Sequence, residues 1–164
     1  MNKEYESTGR LILDDRKKWY EAYELNYLLQ GEKTPEQIYW HTTQTRAWDN
    51  LQSVSQVPAI LRLVEDPGDT FSFQNEEPIT KYAQGAKLSD GTFTLELAVV
   101  SDKAYNMRIG YGSKVDSLSS APDDEVSAGG QQSLNTAQVS EVLGQWLLGK
   151  GLPAGYGGSV HIYG

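Results

Sequence analysis

The feature that most constrains the fold is a pair of alternating segments in the second half of the sequence. Every second residue from Phe93 to Val99 is apolar, and Tyr105–Tyr111 repeats the alternation after a short polar break. Because successive side chains of a strand point to opposite faces, this period of two predicts two half-buried strands. Ser101–Ala104 can turn the chain, so the two strands are predicted to form an antiparallel hairpin.

A helical period appears nearer the C-terminus. Asn135 or Ser133 can cap the helix, and Gly149 or Gly151 can end it before Pro153 prevents its continuation. Between these signals, apolar residues recur at the spacing of one buried helix face. They are Val139, Val142, Leu143, Trp146 and Leu147.

The first 66 residues are predicted to be mainly helical. Asp14 or Asp15 can cap a helix that runs to about Gln30 and stops at Gly31. Aromatic residues recur every four positions within it, as expected for one apolar face. These residues are Trp19, Tyr23 and Tyr27.

Further helices are expected before the sharp turn Asp66–Asp69. In Thr34–Gln37, threonine can cap a helix, proline can take its first position and glutamine can close a capping box. The aromatic and threonine residues that follow also favour strands, but the capping signals favour a helix through about Trp40. Another helical stretch is predicted over Arg46–Ser53.

Together these patterns predict a single α+β domain over residues 1–164, with N-terminal helices, an antiparallel sheet with a central hairpin, and a C-terminal amphipathic helix packed on the sheet. Residues 70–112 supply the strands, and residues 134–164 supply the helix and a short strand around Val160. Between them, Ser113–Ser133 is rich in Ser, Asp, Gly and Gln and is predicted to be an exposed loop.

The sequence contains no cysteine, which excludes disulfides, thiolate catalysis and cysteine-bound metals. Its two histidines, His41 and His161, suggest a two-histidine phosphoesterase, but such a site needs His-x-Ser/Thr twice. His161 is followed by isoleucine and tyrosine instead. No catalytic residue, cofactor or metal is therefore assigned.

An enzymatic alternative uses His41 differently. Tyr39–Thr43 has the composition of the strand that opens an ADP-ribosyltransferase-like site, which also needs a tyrosine on a later strand and a late glutamate. No glycine-rich NAD loop is evident. The available candidates are Tyr82 or Tyr105 and Glu96 or Glu125.

The net charge of −8 argues against direct binding to nucleic acid, which depends on neutralising phosphates. Acidic residues concentrate in two windows without basic residues, one between Arg62 and Lys81 and one between Lys114 and Lys150. They predict a negative face for a basic protein, and aromatic residues beside carboxylates are typical of binding hot spots. The predicted partner-binding residues are Glu65, Asp66, Asp69, Glu76, Glu77, Asp116, Asp123, Asp124, Glu125, Tyr105 and Tyr111.

No apolar run approaches the ~18 residues that a membrane helix needs. Met1–Arg10 lacks the apolar core of a signal peptide. With the absence of cysteine, these features favour a cytoplasmic protein that does not act at a membrane.

The residues from Thr92 onward form a series: the hairpin, a polar acidic loop, a helix ending EVLGQWLLGKGLP, and a closing strand. This series resembles immunity proteins of bacterial polymorphic toxin systems, in the Imm1-like group. Those proteins often finish with an amphipathic helix, a Gly-x-x-Pro exit and a strand bearing a tryptophan. Here the last strand carries Val160, His161 and Ile162 and no tryptophan.

The resemblance implies a small cytoplasmic protein that occludes the active site of a cognate toxin. The sequence therefore predicts a non-enzymatic binding protein, an immunity protein or inhibitor whose partner is a basic protein toxin. The two enzymatic hypotheses above and a phage or virion structural component remain alternatives.

Overall fold

The computed structural model describes residues 19–26, 29, 36–112 and 130–163, and their main feature is an eight-stranded antiparallel sheet. In chain order the strands are β1 (Trp19–Glu21), β2 (Ile38–Thr42), β3 (Asp49–Asn50), β4 (Thr70–Asn75), β5 (Lys81–Ala86), β6 (Glu96–Val100), β7 (Ala104–Tyr111) and β8 (Tyr156–Tyr163). Across the sheet they lie in the order β1-β8-β7-β6-β5-β4-β2-β3. Among the described residues the sheet therefore ends in two very short strands.

The described helices are few and short. They are α1 (Ala22–Leu25), a 3-10 turn at Val54–Gln56, α2 (Val57–Leu61) and α3 (Thr136–Trp146). The predicted α+β class with N-terminal helices is therefore wrong, because strands form most of the described structure. None of the described helices has the length and apolar composition needed to cross a bilayer.

The predicted first helix is replaced, where it is described, by β1 and the single turn of α1. Trp19 pairs with Ser159 of β8, near the other end of the chain. A distant strand partner thus decides the conformation of this segment against its local helical spacing. Several residues used in that prediction lie outside the described structure, namely Asp14, Asp15, Tyr27, Gln30 and Gly31, as do Thr34 and Pro35 of the next predicted helix.

The helix predicted through Trp40 is also wrong, because this residue lies in the middle of β2. It stands opposite Phe73 of β4, so the strand preference of the aromatic and threonine residues prevails once β4 pairs with them. Residues 46–53 contain β3 instead of the predicted helix.

Other predicted elements are confirmed. Strands β6 and β7 form the hairpin, with Leu97 opposite Met107. Helix α3 begins at an Asn135 cap, whose side chain accepts a hydrogen bond from the Gln138 backbone N–H at 2.8 Å. The final strand is longer than expected, since β8 already begins at Tyr156.

One face of the sheet carries the hydrophobic core. The registers place Phe73, Ala83, Leu97, Met107 and Val160 side by side across five strands, and all are fully buried. Helices α2 and α3 contact each other, and their apolar residues join this core. The buried face of α3 is the predicted one: Val139, Val142, Leu143, Trp146 and Leu147.

The opposite face of the sheet is mixed, because it carries polar residues together with buried Trp19 and Ala98. One row of it, which we call the polar row, crosses β4 to β8 through Ser72, Gln84, Glu96, Arg108 and Ser159. Glu96 accepts hydrogen bonds from Gln84 at 3.0 Å and from Arg108 at 3.0 and 3.2 Å. These bonds tie the three central strands together on the face away from the core.

The indole of Trp19 packs on three glycines. A side chain at Gly110, Gly130 or Gly157 would meet this indole at 2.5–2.9 Å. Glycine inside a strand weakens it, but here the absent Cβ atoms make room for a large ring. Trp19 is 2 % exposed, so β1 is fixed to the sheet by this packing.

Candidate functional site

The structure separates the acidic residues of the first window. Glu65, Asp66 and Asp69 precede β4, whereas Glu76 and Glu77 follow it. The six residues of β4 span about 20 Å, so the window makes two acidic ends instead of one negative face. The other predicted acidic residues, Asp116, Asp123, Asp124 and Glu125, lie outside the described residues.

The two tyrosines predicted to bind a partner are not in contact with either group. Tyr105 lies three strand spacings, about 14 Å, from Asn75, the residue before Glu76. Tyr105 is half-buried on β7 and pairs with Val99. Tyr111 is exposed at the other end of the same strand, and its ring packs against Tyr156 with centroids 4.8 Å apart. The structure therefore does not unite the predicted carboxylates and tyrosines in one site.

The residues nominated for enzymatic chemistry do not converge. Measured along the sheet, His41 on β2 and His161 on β8 are five strand spacings apart, about 24 Å. Glu96 lies three spacings from His41, about 14 Å. Tyr105 faces the other side of the sheet from Glu96, and Glu125 is not described. Tyr82 shares the face of Glu96 on the neighbouring strand, but it lies two strand spacings, about 10 Å, from His41. Among the described residues no group of His, Asp and Glu is arranged to hold a metal ion.

A groove does form where β2 begins and β4 ends. We call it the acidic aromatic groove, and its volume is about 420 Å³. None of the described residues that line it is basic. They are Tyr39, Trp48, Gln74, Asn75, Glu76, Glu77 and Ile79.

Glu76 and Glu77, the carboxylates of the acidic aromatic groove, lie on a turn whose backbone is held by hydrogen bonds. Buried Asn75 accepts hydrogen bonds from the backbone N–H groups of Thr80 and Lys81 at 3.0 and 3.3 Å. Its amide also donates to the Thr80 hydroxyl at 2.7 Å. One side chain thus holds both ends of the segment that presents Glu76 and Glu77.

The aromatic wall comes from β2 and the loop after it. Trp48 is 44 % exposed, and the His41 ring supports it with centroids 5.2 Å apart and planes tilted by 31°. The Tyr39 hydroxyl donates a hydrogen bond to the Glu76 carboxylate at 3.3 Å. Partial desolvation, followed by the charge of Glu76, raises the pKa of Tyr39, so the phenol stays protonated as a donor.

Charges near the acidic aromatic groove are mostly negative. Asp49 follows Trp48 directly and is exposed, and the Glu36 carboxylate accepts a hydrogen bond from Asn75 at 3.3 Å. Arg46 is exposed in the same loop as Trp48 but does not line the groove. The arrangement suits a positively charged group offered by a partner.

A second concavity lies over the polar row. A groove of about 350 Å³ is lined by Ser72, Gln84, Glu96 and Arg108 among others, and a smaller one of about 100 Å³ continues to His161. The carboxylate and the guanidinium in these grooves are bound to each other. They are therefore engaged in holding the sheet.

Comparison with known proteins gives no relative: no family model, no curated protein and no solved structure matches this chain. The site has to be interpreted from its own geometry.

Sequence reasoning identified Glu76 and Glu77 but not the aromatic residues that face them. Trp48 lies in a mostly polar segment after β2, and no local pattern marks it as exposed, because tryptophan is highly buried on average. Trp48 and Glu76 line the same groove because β2 pairs with β4. This strand pairing was not predicted from the sequence.

Proposed function

We propose that this protein is a non-enzymatic binding protein whose acidic aromatic groove engages a basic protein. The observation that carries this proposal is an exposed tryptophan beside a pair of glutamates on a fixed turn, with no basic residue among the described lining. Tryptophan and tyrosine are enriched at the energetic centres of interfaces, and a negative surface accelerates the approach of a positive partner.

Within this class we propose an immunity protein or inhibitor that occludes the active site of a cognate basic toxin in the cytoplasm. Toxins that cleave nucleic acids offer positively charged grooves, and carboxylates of an inhibitor can occupy the phosphate positions. The net charge of −8 supports such a partner. Of the predicted acidic residues, only Glu76 and Glu77 line the groove, so the proposed contact includes these two. It does not include Glu65, Asp66 and Asp69 at the other end of β4.

The test is affinity capture from a lysate of the source cell with two forms of the protein. The wild type should retain one stoichiometric basic partner, and added salt should release it, because exposed charges are screened beyond about 8–10 Å at physiological ionic strength. The variant Glu76→Gln/Glu77→Gln should retain much less. If both forms retain the partner equally at every salt concentration, the groove is not the interface.

The inhibitory role needs a separate measurement. The captured partner should be toxic when expressed alone and harmless when this protein is co-expressed, whereas co-expression of the double variant should restore part of the toxicity. A partner that is harmless by itself would contradict the immunity function while leaving the binding function in place.

A further inference from the structure

We infer that the acidic aromatic groove receives an arginine side chain of the partner, with its guanidinium stacked on Trp48 and paired with the carboxylates of Glu76 and Glu77. This inference rests on the proposed binding function and specifies the chemistry that the groove recognises.

The indole of Trp48 is positioned for stacking. The His41 ring packs against it, which limits its motion, yet the residue remains 44 % exposed and lines the groove. A cation that lies over a tryptophan face is attracted by the quadrupole of the ring, and the planar guanidinium is the cation that most often does so.

The carboxylates can accept further hydrogen bonds. One oxygen of Glu76 accepts from Tyr39. The other carboxylate oxygen of Glu76 and both oxygens of Glu77 make no hydrogen bond or ion pair with any described residue. Because the turn that carries them is held by Asn75, little backbone conformational entropy is lost when a ligand binds.

Arginine fits this pair of features better than lysine does. A guanidinium can stack on an aromatic plane and donate two parallel hydrogen bonds to a carboxylate at the same time, whereas a lysine ammonium is a strongly hydrated point charge. The volume of about 420 Å³ lies within the range of small-ligand sites, so the groove has room for the side chain and adjoining backbone of a short segment.

The experiment compares two synthetic peptides of equal length and charge, one with arginine and the other with lysine at every basic position. Binding is measured by calorimetry and by the change in tryptophan fluorescence at low salt. We expect the arginine peptide to bind about tenfold more tightly, the difference that a stacked and desolvated guanidinium makes. In Trp48→Ala this preference should disappear.

Matched controls come from the same chain. Tyr23→Ala removes another exposed aromatic residue, on α1, and should leave the preference for arginine unchanged. Glu65→Gln/Asp66→Asn removes the same charge as Glu76→Gln/Glu77→Gln but before β4, and should weaken either peptide less than twofold. Circular dichroism is measured for each variant, and the spectra should match that of the wild type.

The outcomes separate this inference from the proposed function. Equal binding of both peptides that still depends on Glu76 and Glu77 would overturn the arginine inference and leave the binding function standing. Binding of neither peptide, or binding that the substitutions at Trp48, Glu76 and Glu77 leave unchanged, would contradict both.

Discussion

Alanine at two glycines of this chain should change stability in opposite directions. Gly144 lies inside helix α3, and a Cβ added there meets no atom within 4 Å. Gly157 lies in β8, and a Cβ added there would overlap the Tyr20 carbonyl oxygen and meet the Trp19 ring at 2.5 Å. The same chemical change therefore tests helix propensity at one position and the packing of β1 at the other.

The magnitudes follow from these surroundings. Gly144→Ala should raise the free energy of unfolding by about 0.5–1 kcal/mol, the difference in helix propensity. Gly157→Ala should lower it by about 3 kcal/mol, the upper part of the usual range for overpacking, because one of the overlapping atoms belongs to the backbone. For a chain of this size the melting temperature moves by about 2–4 °C per kcal/mol. The expected changes are a rise of about 1–4 °C and a fall of about 6–12 °C.

Urea denaturation followed by tryptophan fluorescence measures both variants, with the wild type as reference. Gly110→Ala supplies a second test on the neighbouring strand, since its methyl would meet the Trp19 ring at 2.9 Å. If Gly157→Ala and Gly110→Ala were as stable as the wild type, Trp19 would not pack on these glycines, and the pairing of β1 with β8 would be wrong.

Three further substitutions and one control have defined expectations. Asn135→Ala should cost about 1 kcal/mol in urea denaturation, because it removes the cap of α3, whereas Ser133→Ala should change stability by a few tenths at most. Burial and the 2.8 Å hydrogen bond to Glu141 raise the pKa of Tyr156, so the native state holds a proton that the unfolded chain releases above about pH 10. Because unfolding releases that proton, the free energy of unfolding decreases as the pH rises above about 10. In alkaline denaturation, Tyr156→Phe should make this decrease shallower. Asn75→Ala should cost about 1–3 kcal/mol and speed hydrogen exchange in the turn after β4, because two backbone N–H groups lose their acceptor.

Local patterns predicted the elements whose period is unambiguous. The alternation around Leu97 and Met107 gave the β6–β7 hairpin, and the spacing from Val139 to Leu147 gave the buried face of α3. In both cases the sequence neighbours also contact each other in the fold, so a short window contains the information that decides the structure.

The N-terminal half could not be predicted in this way. The spacing of its aromatic residues favours a helix at Trp19, and the capping signals favour a helix through Trp40. Trp19 instead pairs with Ser159 and Trp40 with Phe73, which are distant in sequence. Tertiary pairing overrode a weak local preference. The candidate site could not be predicted for the same reason, because Trp48 and Glu76 line one groove only after β2 and β4 have paired.

The packing of Trp19 on glycines also constrains how the chain is made. During synthesis the indole leaves the ribosome early, whereas the β8 strand that completes its site leaves last among the described elements. Until then the eight residues of β7 lack the partner that covers one of their edges. An unpaired strand edge can recruit other strands, so the nascent chain is exposed to aggregation in the interval between the synthesis of β7 and that of β8. Completion of the sheet therefore follows the translation of Tyr156–Tyr163, and we expect a product truncated before Tyr156 to aggregate.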